Sequence, residues 1–222
     1  MISVILNCYS PTQVQRHQDM ACLAAIRKFT DPEYEIIVVD NEPKFPIRDE
    51  YKVLQPYTLI VNEDNQTCYE SYNQGARVAR GDILAFIQND VFVHEQTLNK
   101  MAEYIGKWDV VFPQQVPISR EDVLKIYDVE VGDDTHIGGR DAGLLMISGE
   151  AFERSGGWDG RFKNLLGEAA FYSRIDSAGL SWTDRTNAFI THIAAGNNLR
   201  KDQALYDKEM AFDAELLQRE YQ

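Results

Sequence analysis

Ile83-Leu84-Ala85-Phe86-Ile87-Gln88-Asn89-Asp90-Val91-Phe92-Val93 is the stretch whose reading decides the fold. Five apolar residues run into a polar cluster that ends in a carboxylate, and the chain then turns apolar again. Bounded upstream by Gly81-Asp82, such a run reads as a fully buried strand of a parallel sheet. Open α/β sheets bind ligands outside the carboxyl ends of their strands. Asp90 stands at such an end, where a carboxylate can meet a hydrated cation and the phosphates it carries. A second reading stands beside it, in which Gln88-Asn89-Asp90 only caps the following turn.

Working outward, Ile2–Leu6 reads as a short buried strand. His17–Phe29 reads as a helix with Met20, Leu23, Ala24 and Phe29 at helical spacing, stopped by Asp31-Pro32. Tyr34–Val39 is a second apolar strand closed by Asp40, and the polar, Pro-interrupted stretch 41–56 holds little regular structure. Leu59–Val61 is a third strand. Thr67–Ala79 is a helix ended by Gly81, expected in the left-handed position past a helix C-terminus. An amphipathic helix near Gln96–Ile105 and a strand at Val110–Phe112 follow. This βαβ alternation predicts an α/β fold with a mostly parallel central sheet and helices on both faces. Beyond it, 116–140 is an irregular excursion, Leu144–Ile147 a strand, Gly149–Arg154 a short helix, and Leu166–Ala178 a helix with Phe171, Ile175 and Ala178 inward. Ala188–Ile193 is the last strand, and Asp202–Tyr221 a charged helix with an apolar stripe of Leu205, Phe212 and Leu216.

The 222 residues fit one sizeable domain, and a hydrophobic fraction of 44% supplies a core. Lys plus Arg number 22 against 35 Asp plus Glu, a net charge of −13. That balance argues against nucleic acid or an anionic membrane as main partner. It leaves room for a phosphate-bearing ligand, because a divalent cation supplies positive charge locally. Cys8, Cys22 and Cys68 are odd in number and scattered, which suits reduced intracellular thiols rather than a disulfide frame or zinc site. Met1 leads straight into a strand-like run, and no apolar run approaches the ~20 residues that span a bilayer. The expectation is a soluble, cytoplasmic protein, peripheral to a membrane at most.

Several residues carry candidate chemistry. Asp40, at the tip of the second strand, can accept hydrogen bonds from a nucleobase or ribose hydroxyl, or cap a turn. Tyr9, in Asn7-Cys8-Tyr9-Ser10-Pro11, can stack on a base or pack as a loop aromatic. Asp133-Asp134-Thr135-His136 lies near glycines and reads as a solvated loop, more readily a lid over a bound donor than a metal site.

The spacing Asn62-x10-Asn73-x-Gly75-x5-Gly81-Asp82, leading into the opening strand, is more specific. Together with Val38-Val39-Asp40-Asn41, Gln88-Asn89-Asp90, Gly156-Gly157-Trp158-Asp159-Gly160-Arg161-Phe162 and Gly167-Glu168-Ala169-Ala170-Phe171-Tyr172-Ser173-Arg174, it resembles the family 2 glycosyltransferases of the GT-A fold. The resemblance covers roughly residues 2–193; each motif is short, and their order and spacing give the likeness its weight. It implies a GT-A domain over 1–200, with a nucleotide-binding half (1–93) and an acceptor-binding half (94–200), then a C-terminal helix over 201–222. That helix packs on the domain, forms a homodimer, or leads into a further part.

The activity implied is inverting, metal-assisted transfer of a sugar from a nucleotide-diphosphate sugar to an acceptor hydroxyl on a glycan or on a lipid-linked or protein-linked sugar. Asp90 and His192 are the implied ligands of Mn²⁺ or Mg²⁺, with a satisfied, partly buried imidazole the plainer role for His192. Asn7, Tyr9, Asp40, Asn73, Asn89, Ala142 and Gly143 fall on the donor side. Glu168 occupies the position of the general base, steadied at a helix N-terminus, with Asp159 as the next candidate. Trp158 and Asp159 fall on the acceptor side, although a core Trp is the commoner use of such a residue. Two departures stand out: Gln88 replaces the first acid of the D-x-D motif, and Gly167-Glu168 replaces the usual E-D pair. Gln88 and Ala170 keep a second reading open, a degenerate domain that binds a sugar or a partner. A nucleotidyltransferase is disfavoured because 7–12 holds neither Gly nor Lys, and a NAD-dependent dehydrogenase because no G-x-G-x-x-G follows a strand.

Overall fold

The computed structural model describes residues 1–31, 33–42, 44–45, 57–118, 139–140, 143–164, 166–193 and 203–221. The elements run β1 (Ile2–Tyr9), α1 (Gln13–Phe29), β2 (Tyr34–Asn41), β3 (Thr58–Asn62), α2 (Cys68–Val78), β4 (Ile83–Gln88), β5 (Val91–Val93), α3 (Thr97–Ala102), β6 (Val110–Val111) and β7 (Gln114–Ile118). After them come β8 (Leu144–Ser148), α4 (Gly149–Ser155), α5 (Leu166–Ser177), β9 (Trp182–Thr183), β10 (Phe189–Ile193) and α6 (Gln203–Tyr221).

Successive strand side chains point to opposite faces, and here both faces are apolar. Val4, Leu6, Ile36, Val38, Ala85 and Ile87 point to one side, where Met20, Leu23 and Ile26 of α1 and Leu98 and Met101 of α3 cover them. Ile5, Ile37, Val39, Leu84 and Phe86 point to the other, against Tyr69 and Tyr72 of α2, Phe171 and Ile175 of α5, and Trp158. This two-sided burial is why the strands read as continuous apolar runs. Local signals place the helix starts: Thr12 caps α1 by accepting from the Gln15 N–H, and Thr67 caps α2 by accepting from the Glu70 N–H.

The central sheet has the order β3-β2-β1-β4-β8-β6-β9. β1 pairs in parallel with both β2 and β4, and β3 extends the parallel half from β2. β8 runs antiparallel to both β4 and β6. The expected α/β domain with a mostly parallel sheet, helices on both faces and a C-terminal helix is the architecture observed. With the chain stepping out on both sides of β1, the crevice at its carboxyl end is the ligand position such sheets use.

Several expectations need correction. The last strand, β10, joins β5 and β7 in a separate three-stranded sheet, order β5-β10-β7, whose existence the sequence reading did not anticipate. β7, paired in parallel with β10, carries strand structure into the first residues of the stretch 116–140 expected to be irregular. Gly81 is not left-handed; α2 ends at Val78, and a Cβ at Gly81 would sit 2.5 Å from the Met1 carbonyl and 2.7 Å from Ser3 Oγ. Its need for glycine is close approach to the start of β1. On α6, Leu205 and Phe212 are each 49% exposed and only Leu216 of the expected stripe is buried. The inward face is set instead by Asp213, which accepts hydrogen bonds from the Lys163 and Asn164 N–H groups. Asp133, Asp134, His136, Asp141, Ala142 and most of 41–56 lie outside the described residues. No described helix is long and apolar enough to cross a membrane.

Candidate functional site

Asn89 and Asp90 form the turn between β4 and β5, so the chain leaves the central sheet and enters the small one at the motif itself. Asp90 is 2% exposed. The small sheet brings His192 to it: His192 pairs with Val91 across the β5–β10 ladder, and the Ile193 N–H donates to the Asp90 carbonyl at 3.0 Å. His192 Nε2 stands 3.6 Å from Asp90 Oδ1, and its Nδ1 stands 3.4 Å from Gln115 Oε1 on β7.

Glu168 arrives from the first turn of α5. Gln88 Nε2 donates to Glu168 Oε1 at 3.1 Å, so the amide that replaces the usual acid ties the strand tip to the candidate base. The Gln88 N–H donates to the Gly143 carbonyl at 2.7 Å. A Cβ on Gly143 would lie 2.2 Å from Val91 Cγ2, so only glycine lets this segment close on the turn. Cys68, the first residue of α2, lies beside Tyr72 and Asn7 and feels the charges of Glu168 and Asp90. Burial, reinforced by those two carboxylates, pushes its thiol up to about 12. The structure thus gathers Asn7, Gly143, Glu168, Asp90 and His192, together with Gln88 and Cys68, around the carboxyl ends of β1 and β4.

Amides line the neighbouring strand tips. Asn41 Nδ2 donates to Asn7 Oδ1 and Ser71 Oγ, each at 2.8 Å, and Asn62 Nδ2 donates to Asn41 Oδ1 at 2.8 Å. Tyr9, Asn41 and Asn62 are register partners across β1, β2 and β3. Asp40 is 1% exposed, and Arg16 Nη2 donates to its Oδ1 at 2.6 Å. Burial raises Asp40 while Arg16 opposes the rise. Arg16 Nη1 also donates to Asp19 Oδ2 at 3.0 Å, and Asp19 further accepts from Ser10 and Asn89. Burial pushes Asp19 up to about 6 against the pull of Ser10, Arg16 and Asn89.

Three predicted residues stand in other surroundings. Trp158 is 4% exposed, stacked on Phe171 with ring centres 3.9 Å apart and flanked by Tyr69, Tyr72 and Phe86. Asn73 clamps the Trp158 backbone, donating to its carbonyl at 2.9 Å and accepting from its N–H at 3.1 Å. Asp159 binds Arg161, Tyr221 and Arg174, which fastens the loop to α6 and α5. Burial would raise the Asp159 carboxyl, but hydrogen bonds from Arg161 and Tyr221 prevail and hold it at about 2. An open groove of about 630 Å³ borders Asn73, Arg77, Leu84 and Phe152, yet none of Gln88, Asp90, Glu168 or His192 lines it.

Arg16 and Asp19 were not singled out from sequence, and Asn41, Asn62 and Cys68 were named there without a role at the site. A buried Arg16–Asp19 pair at i, i+3 within an otherwise apolar helix face was the available signal. Among the described residues, no three His, Cys, Asp or Glu side chains gather as a closed metal cage. One carboxylate and one imidazole with open positions do fit a Mg²⁺ or Mn²⁺ ion that keeps waters and shares a substrate's phosphates.

The family model described as "Glycosyl transferase family 2" matches residues 20–167. A Haemophilus influenzae protein described as "Uncharacterized glycosyltransferase" is 31% identical over 105 residues, 47% of this chain and 34% of that protein. "Glycosyltransferase AglE" of Haloferax volcanii is 29% identical over 106 residues, 45% of this chain and 33% of that protein. The chain spans about a third of the length of these relatives. With two thirds of its residues inside the family match, the chain belongs to glycosyl transferase family 2.

Proposed function

We propose that this domain transfers a sugar, with inversion, from a nucleotide-diphosphate sugar to an acceptor hydroxyl, assisted by Mn²⁺ or Mg²⁺. The observation that carries the reading is the convergence of Asp90, His192 and Glu168 at one strand edge, with Asp90 and His192 3.6 Å apart and Glu168 tied to Gln88. Asp90 and His192 would hold the cation. With the proton on His192 Nδ1 donated in a hydrogen bond to Gln115 Oε1, Nε2 would keep its lone pair for the cation held beside Asp90. When bound, the ion supplies positive charge to the leaving diphosphate. Asn7, Tyr9 and Asn62 offer a polar rim for the nucleoside, backed by the buried amide of Asn41, and the Gly143 backbone closes on the turn at the donor side.

Glu168 takes the proton from the acceptor hydroxyl as it attacks the anomeric carbon. Its place in the first turn of a helix favours the ionised carboxylate, and the Gln88 amide fixes the orientation of the side chain. In this role Gln88 orients the base where an acid would repel it. The acceptor, whether glycan, lipid-linked or protein-linked, meets the domain on the Glu168 side.

Turnover of uridine, thymidine and guanosine diphosphate-sugars, assayed with Mn²⁺ against Glu168→Gln, tests the assignment. The substitution keeps the side chain's shape and is expected to lower kcat by about 10²–10⁴-fold with the donor KM little changed. Unchanged kcat in Glu168→Gln would sink the base role.

A further inference from the structure

Helix α1 grips the Asp90 turn with three side chains from one face. Gln18 Nε2 donates to the Asn89 carbonyl at 3.2 Å, Asp19 Oδ1 accepts from Asn89 Nδ2, and Cys22 Sγ stands 3.0 Å from the Val91 carbonyl. The other Asp19 oxygen accepts from Ser10 Oγ, just past β1, and from Arg16 Nη1, while Arg16 Nη2 continues to Asp40 on β2. Asp19, Arg16, Ser10 and Asp40 are each at most 2% exposed, so water does not replace these contacts. One buried carboxylate on a helix therefore connects the ends of β1 and β2 to the β4–β5 turn.

We propose that Asp19 is a positioning residue for donor binding, fixing the Asn89 side chain, and with it the Asp90 turn, relative to the tips of β1 and β2. The inference rests on the reading above, in which Asp90 meets the cation that accompanies the donor diphosphate. An ionised carboxylate accepts on both oxygens, which suits three donors arriving from different elements. An amide in its place can still accept from Ser10 and Arg16, but its NH₂ then faces the NH₂ of Asn89. Asp19→Asn thus cuts the Asp19–Asn89 link, the one that reaches the strand tips, while preserving the shape of the core. Exchanging the two residue types, Asp19→Asn with Asn89→Asp, restores the hydrogen bond with its polarity reversed.

Binding of Mn²⁺ with uridine, thymidine or guanosine diphosphate, followed by the electron paramagnetic resonance signal of free Mn²⁺, reads this without turnover. Removal of an outer-shell partner weakens metal binding by about 10–100-fold, and Asp19→Asn is expected at about tenfold. Asn89→Asp alone sets two carboxylates face to face and also weakens binding. The double variant is expected to return to within about threefold of wild type, a coupling that a double-mutant cycle isolates. Wild-type affinity in Asp19→Asn, or losses that simply multiply in the double variant, overturns the proposal while leaving the donor site standing. Absence of Mn²⁺-dependent binding of all three diphosphates by wild type overturns the donor reading and this one with it. If Asp19→Asn does not fold, Asn89→Ser cuts the same link from the turn side; it too is expected to weaken binding about tenfold, and wild-type affinity there refutes the idea.

Discussion

Asp213→Ala tests how α6 holds the segment that leads to Glu168. Asp213 is fully buried and accepts from the Lys163 N–H at 2.9 and 3.1 Å and from the Asn164 N–H at 2.7 Å. Its removal strands two backbone donors in a place where β pairing or helix bonding offers no substitute. Each unsatisfied buried donor costs about 1–3 kcal/mol, and partial entry of water keeps the sum near the lower end, about 2–4 kcal/mol. For a domain of this size each kcal/mol moves the melting temperature by about 2–4 °C, so the expected drop is roughly 4–16 °C. The Asn164 carbonyl also receives Tyr69 Oη at 2.6 Å and the Gly167 N–H at 3.1 Å, so a loosened 163–164 segment unsettles the start of α5. Transfer activity measured well below the melting temperature should therefore fall as well, chiefly in kcat. Asp213→Asn, which keeps one acceptor, should lie about midway in melting temperature. The assays are thermal denaturation by circular dichroism and initial-rate kinetics at 25 °C. A melting temperature within 1 °C of wild type for Asp213→Ala would refute the anchoring argument.

Gly143→Ala drives a methyl to 2.2 Å from Val91 Cγ2 and should cost about 1–3 kcal/mol by overpacking. Val91→Ala in the same chain should recover most of that loss in urea denaturation; no recovery would mean the strain lies elsewhere. Cys68 held up to about 12, and Cys8 and Cys22 raised well above their ordinary range by burial, leave little thiolate at pH 8. Alkylation of the native protein should run roughly a thousandfold slower than that of a free thiol, and rapid labelling of any of the three without denaturant contradicts this. Asp159, held at about 2 when folded and near 3.8 when not, adds stability that is complete above about pH 4 and lost as pH falls toward 2. Asp159→Asn should flatten that acid limb of the melting-temperature profile, and an unchanged limb argues against the assignment.

The parallel half of the sheet was legible because both of its faces are covered. Two-sided burial writes continuous apolar runs such as Ile83–Ile87 and Tyr34–Val39, and these need no knowledge of neighbours to be read. β9 and β7 were missed for the opposite reason. Two residues, Trp182-Thr183, carry no period, and Gln114–Ile118 contains two glutamines and a proline and owes its strand form to pairing with β10. On α6 the apolar pattern misled, because the face that packs was chosen by a carboxylate that satisfies a loop's N–H groups and not by the apolar stripe.

The candidate site divides in the same way. The order of Asp40, Asn73, Asp90, Trp158 and Glu168 along the chain was sufficient to point to the family, since each motif sits at a strand end or a helix start whose local chemistry is visible in a few residues. Sequence could not say which of them share surroundings. Asn73, Trp158 and Asp159 are engaged by backbone, aromatic and arginine partners contributed by α2, α5 and α6, up to 85 positions away. Nor could it give Gln88 a purpose: read alone, it is a missing acid.

The sequence by itself determined the strand that ends at Gln88-Asn89-Asp90, the sheet class around it and the family, because burial and turn chemistry act over a few neighbouring residues. Only the tertiary structure decided that His192 reaches Asp90 through a second sheet, that Gln88 binds Glu168, and that Asp19 joins three strand tips. Those facts depend on where separate elements meet, and a distance across the fold is set by packing rather than by spacing along the chain.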